Sequence, residues 1–211
     1  MSEQRRSPRR PAMLDPEDAE YIIGDEDPAD GSALAHTSAW ALLGVGDEDF
    51  GPEAVARLRE TIEREGVDVV ADMWSRSPEF TLPGALWRIY LFAQWVHRDG
   101  DDVTARYAEG AKAVAASGNQ NMATPPDLTA VVDDIDKVMA GDATDDDLGG
   151  ILEGASRAMI VLAAAAAQGP QWITDENDTL AFPVTVRPAA LLETARELDE
   201  AARQASAGTL N

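Results

Sequence analysis

The chain has 211 residues, a formal net charge of −22 from 39 acidic and 17 basic side chains, 45% hydrophobic residues and no cysteine. That length fits one domain with a tail, or at most two small domains, and the missing cysteines remove disulfides, thiolate metal sites and cysteine nucleophiles. The charge opposes binding to nucleic acid and to anionic membranes; an acidic balance is common and serves solubility first, and it also suits basic protein partners or divalent cations.

Residues 1–31 read as a disordered charged arm. Arg5, Arg6, Arg9 and Arg10 are followed by Asp15, Glu17, Asp18, Glu20, Asp25, Glu26, Asp27 and Asp30, with four prolines among them. Such a segment buries too little apolar surface to offset the entropy of ordering it. Its one apolar island is Met13-Leu14 with Tyr21, Ile22 and Ile23, which leaves three readings open: a spacer, a contact with the chain's own domain, or a contact with a partner. No apolar stretch follows the arginines, so the sequence shows no signal peptide. The most membrane-like run, Ala158 to Ala167, is far shorter than the ~20 residues of a span. The expected location is the cytoplasm.

Residues 32–211 read as a single helical domain. Leu34, Ser38, Ala39, Leu42 and Leu43 suggest a first short helix, stopped around Gly44 to Gly46. Gly51-Pro52-Glu53 opens a second helix with Val55, Leu58 and Ile62 inward, and Gly66 ends it. Val67 to Trp74 is a third, with Val70, Met73 and Trp74 inward, closed off before Pro78. The most organised stretch comes next. From about 83 to 98 the chain is apolar nearly all round: Leu86, Ile89, Tyr90, Ala93 and Val96 form one face, and Trp87, Leu91 and Trp95 a second. A helix with two apolar faces is buried among neighbours, so this one is expected at the centre.

Gly100 is a candidate C-cap for that helix. Asp101 and Asp102 then start another, with Val103, Tyr107, Ala111 and Val114 as its stripe. After a polar loop, Leu128, Val131, Val132, Ile135, Val138 and Met139 mark a helix ended by Gly141. A long helix over about 145–167 follows, rich in small residues that permit close approach, and Gly169-Pro170 stops it. Trp172, Ile173, Phe182, Val184 and Val186 leave 171–186 as a short β-hairpin or an ordered loop. Pro188 opens the last helix, with Leu191, Leu192, Ala195, Leu198 and Ala202. The sum is an all-α irregular bundle of about seven or eight helices around a central buried one.

No motif names a reaction. His97-Arg98-Asp99 spells the kinase catalytic tripeptide but lacks the strand, the downstream Asn and the Gly-rich loop of that site. His97 is better read as facing its helix C-terminus, and Arg98 a neighbouring carboxylate. Glu60/Glu63, Asp133/Asp136 and Glu197/Glu200 are i, i+3 acidic pairs of the kind that helical nucleotide hydrolases use for Mg²⁺. No clean second pair follows the first at the needed separation, and among 39 acids such pairs arise by chance, so they read first as solvated helix faces. Asp142 with Asp145 to Asp147 lacks the alternation and the terminal Glu of a calcium loop, so these acids read as helix-start carboxylates. There is no Glu-x-x-His, no phosphate loop, no dinucleotide fingerprint and no nucleophile elbow. Neither a cofactor, a metal site nor a catalytic residue is assigned.

The aromatic stripe is the remaining site candidate. Trp87, Leu91 and Trp95, flanked by Arg88 and Arg98, would make an interaction hot spot if exposed, or a core face if buried, with Arg88 then reaching an acid such as Asp72 or Glu79. Fifteen arginines against two lysines, with abundant Ala and Gly, fit a GC-rich bacterial genome. The string Thr81-Leu82-Pro83-Gly84-Ala85-Leu86-Trp87-Arg88-x-Tyr90, followed by Trp95-x-x-Arg98-Asp99, resembles small uncharacterised helical proteins of actinobacteria over about residues 66–165. That resemblance implies a cytosolic all-α protein and brings no activity with it. The leading expectation is a non-enzymatic interaction or regulatory protein, contacting another protein or a second copy through Trp87/Trp95 or through Tyr21–Ile23. The alternative is a metal-dependent hydrolase of nucleotides or phosphate esters that uses helix carboxylates.

Overall fold

Proline and glycine punctuate the chain where the backbone changes course. The structure, a computed structural model, describes residues 28–46, 51–118, 124–166 and 188–211. Among them are eight helices and no strand: α1 (Pro28–Leu42), α2 (Pro52–Glu65), α3 (Asp68–Trp74), α4 (Leu82–Arg98), α5 (Gly100–Ala116), α6 (Leu128–Ala140), α7 (Asp145–Ala166) and α8 (Pro188–Ser206). Tyr21, Ile22 and Ile23, and the expected hairpin or loop at 171–186, lie outside the described residues. The first helix begins at Pro28, four positions before the expected start, because proline's fixed φ already suits a first helical turn. Leu34 is 52% exposed rather than inward; Ala35, Ser38, Ala39 and Leu42 make the buried face of α1.

The bundle is arranged around α4, which touches α1, α3, α5, α6, α7 and α8. Its start is held on both sides. The Thr81 hydroxyl accepts from the Gly84 N–H at 3.2 Å, and the Leu82 N–H donates to the Asn211 carbonyl at 2.8 Å, which ties the last residue of the chain to the central helix. Its end differs from expectation. Gly100 is the first residue of α5 and not a left-handed cap; Asp99, at φ −119° and ψ 34°, turns the chain alone.

A second organising unit is the stack of α5, α7 and α8. By length and composition alone α7 is long and apolar enough to cross a membrane, yet most of it is buried here. Its Ala155, Ala158, Met159 and Leu162 face the core, and the buried Ser156 hydroxyl donates to the Ala195 carbonyl of α8 at 2.7 Å. At the start of α7 the Asp147 carboxylate reaches back one turn, where the N–H and hydroxyl of Thr144 both donate to it. Those two bonds hold the Asp147 carboxyl below the ordinary carboxylate range, as stabilising its charged form requires. Asp147 is thus a helix-start carboxylate, as its position suggested.

Aromatic residues seal the other end of the core. Trp74 is fully buried, and its indole N–H donates to the Ser38 hydroxyl at 3.0 Å, which donates onward to the Ala35 carbonyl. Ser38→Ala leaves the indole N–H without an acceptor in a dry site, a loss of about 1–2 kcal/mol. Urea titration of the parent and the variant measures it; an unchanged midpoint would mean that the bond contributes nothing.

Candidate binding cleft

Four helices leave a gap where their ends meet. The C-terminal end of α1, the length of α2 and the C-terminal parts of α4 and α6 surround an open cleft of about 970 Å³. Apolar side chains of Val55, Ile62, Val67 and Met139 contribute to its walls. Five carboxylates line it, from Glu60, Glu63, Asp68, Asp136 and Asp142, and the only guanidinium among the lining residues is that of Arg59.

The position of Arg59 follows from two glycines. Gly44 and Gly141 end α1 and α6 with φ of +82° and +77°, a region that disfavours any side chain. A Cβ on Gly44 would lie 2.8 Å from Arg59 Nη1, and one on Gly141 would lie 3.1 Å from Nε. The guanidinium therefore rests against the C-terminal ends of two helices, where the partial negative charge of the dipoles favours a cation. This accounts structurally for the one lining cation and leaves the carboxylates as the character of the cleft.

On the α4 wall, His97 stands in the last turn of its helix, near the C-terminus as expected, and its Nε2 lies 3.0 Å from Asp136 Oδ1 of α6. Gln94 lines the same wall. One and two turns earlier on that helical face stand Tyr90 and Trp87, at i, i+3, i+7 and i+10 counted from Trp87. Both are partly exposed, and their rings stack with centroids 5.5 Å apart. The Tyr90 hydroxyl donates to Asp68 on the cleft rim; burial, then the bond to Asp68, pushes its pKa up.

The predicted stripe of Trp87, Leu91 and Trp95 is not one surface. Trp95 is fully buried and packs edge-to-face with Phe92, and Leu91 is 3% exposed; both belong to the core. Only Trp87 keeps some exposure. Arg88 does not reach Asp72 or Glu79: its Nε donates to Glu197 Oε2 of α8 at 2.6 Å, and its Nη1 to the Gly84 carbonyl at 2.9 Å. Arg98 pairs with Asp99 at 2.9 Å on the surface, a neighbouring carboxylate as expected.

The acidic pairs are dispersed. Glu60 and Glu63 share the cleft with Asp136, whereas Asp133 is not among its lining residues. Glu197 is held by Arg88, and Glu200 accepts from Arg203. Among the described residues, no group of three or more His, Asp or Glu side chains is placed to hold a metal ion. Elsewhere, burial lowers the Arg106 guanidinium on α5 to about 10 and raises the neighbouring Tyr107 phenol to about 12, while the Tyr107 hydroxyl donates to the Pro126 carbonyl. Tyr107 thereby ties α5 to the segment that precedes α6. Searches among protein-family models, curated proteins and solved structures find no match to this chain.

Proposed function

We propose that the protein is a non-enzymatic interaction protein of the cytoplasm, whose cleft receives a cationic segment of a protein partner. One observation carries the reading: a cleft at the upper end of the ~300–1,000 Å³ range of ligand sites combines apolar walls with five carboxylates around a single guanidinium. Carboxylates bind guanidinium groups through paired, charge-assisted hydrogen bonds, and the apolar walls suit the methylene stems of long basic side chains. Trp87 and Tyr90, stacked on each other and partly exposed, lie on the same α4 row as the lining residues Gln94 and His97. The same carboxylates repel the phosphates of nucleotides and phosphate esters, and among the described residues no group of three or more His, Asp or Glu side chains is placed to hold the metal ion that would offset them.

The test uses a labelled octa-arginine peptide and the full chain, followed by fluorescence anisotropy. A net charge of −22 attracts any polycation, so the comparison must separate the cleft from the general field. Glu60→Gln/Glu63→Gln/Asp136→Asn removes three charges inside the cleft, and Asp101→Asn/Asp102→Asn/Asp146→Asn removes three at the starts of α5 and α7. Near physiological salt the screening length is ~8 Å, so only the first variant should lose affinity strongly, by about tenfold. Equal losses in both would overturn the proposal. A thermal shift with Mn²⁺ that the first variant abolishes would favour the hydrolase reading instead.

A further inference from the structure

The same chain carries a ligand of the matching kind. Four of its 17 basic residues fall within six positions, Arg5-Arg6-Ser7-Pro8-Arg9-Arg10, in a chain that is otherwise strongly acidic. We infer that this arginine cluster occupies the cleft in cis, so that a partner must displace the chain's own N-terminal segment to bind. The inference rests on the reading of the cleft as a site for cationic segments.

Reach supports it. Arg10 stands 18 positions before Pro28, where α1 begins. A flexible Gly/Ser-type linker of that length would span about 24 Å root-mean-square, from 5–6 Å times the square root of the residue number, and charge and proline, both plentiful here, extend a linker further. From Pro28, the 15 residues of α1 run about 22 Å at 1.5 Å per residue toward Leu42, and Gly44 on the cleft rim follows. The linking segment is therefore long enough to bring the arginines to the cleft. A tether long enough to span its sites presents its end at an effective concentration near the millimolar range, so modest contacts suffice for docking.

The order of charges favours docking by the far end. Asp15, Glu17, Asp18 and Glu20 lie between the arginines and the domain, and the cleft carboxylates repel them while attracting the arginines beyond. Arginine rather than lysine fits the site, since its planar fork pairs with carboxylates such as those of Glu60, Glu63 and Asp136.

The absence of cysteine makes the test clean, because Ser7→Cys in the full chain accepts one nitroxide label at one place. The label should broaden the amide resonances of Gly66, Ala140 and Gly141 at low salt. The effect should vanish at about 1 M salt, where screening acts within ~3 Å, and when Arg5, Arg6, Arg9 and Arg10 are replaced by Gln. In that four-Gln variant, octa-arginine should bind about tenfold more tightly, since the competitor at millimolar effective concentration is gone. Broadening that is absent from the cleft, or that persists without the arginines, overturns the inference. The cleft reading survives that result if Glu60→Gln/Glu63→Gln/Asp136→Asn still weakens octa-arginine; if it does not, both fail. Broadening decides between them because it does not respond to the added net negative charge, as affinity does.

Discussion

Gly110→Ala should destabilise the fold by about 2–4 kcal/mol, whereas Gly150→Ala should stabilise it by about 0.5–1 kcal/mol. Both glycines lie inside helices, where alanine is intrinsically better by nearly 1 kcal/mol. The difference is what a methyl group meets. On Gly110 of α5 a Cβ would lie 1.9 Å from the Val161 carbonyl oxygen and 2.8 Å from its carbon, on the facing backbone of α7. A backbone cannot rotate away as a side chain can, so the two helices must separate, and overpacking of this kind exceeds the propensity gain. On the exposed Gly150 a Cβ meets nothing within 4 Å. Urea titration of both variants gives the midpoints; unchanged slopes confirm that stability, not denatured-state compactness, has moved. A neutral Gly110→Ala would mean that α5 and α7 do not approach this closely.

The two glycines also show what was legible in the sequence. Helix number was, and so were most boundaries, because Gly44, Gly66 and Gly141 end helices with positive φ and Pro52 and Pro188 start them; the start of α1 at Pro28 and the turn at Asp99 were not. The central place of α4 followed from its lack of a polar face. Which of its apolar faces turns outward did not follow. Trp87, Leu91 and Trp95 lie on one helical row, but the partly open row is Trp87, Tyr90, Gln94 and His97, tilted relative to it, and only the placement of α6 beside His97 distinguishes the two. The cleft was legible in parts. Glu60/Glu63 and Asp133/Asp136 are visible in the sequence as acidic pairs that read first as solvated faces, and the convergence of Glu60, Glu63 and Asp136 depends on two helix ends meeting beside Arg59. Sequence spacing within each helix carries no information about that meeting. Gly110 is the same case: the stripe was read through Ala111, and the residue that sets the helix distance is the glycine beside it.

The largest effect outside the helix crossings should come from Arg88 and Glu197, 109 residues apart in sequence. Their side chains are 11% and 18% exposed, so neither charge has enough water to stand alone. Glu197→Ala leaves the Arg88 guanidinium with the Gly84 carbonyl and little else, and Arg88→Met strands the carboxylate; each should cost about 3 kcal/mol, as removal of one partner from a buried pair does. The double variant Arg88→Met/Glu197→Leu should recover most of that loss, because no charge then remains to be desolvated. A thermodynamic cycle over the four proteins by urea titration should give a coupling of more than about 1.5 kcal/mol; additive losses would show that the pair is screened like the surface pair Arg98–Asp99. This pair joins α4 to α8 on the side away from the row that carries Gln94 and His97. Octa-arginine affinity should therefore stay unchanged in Arg88→Met/Glu197→Leu while stability responds in the single variants, which separates the packing of the central helix from the cleft it helps to wall.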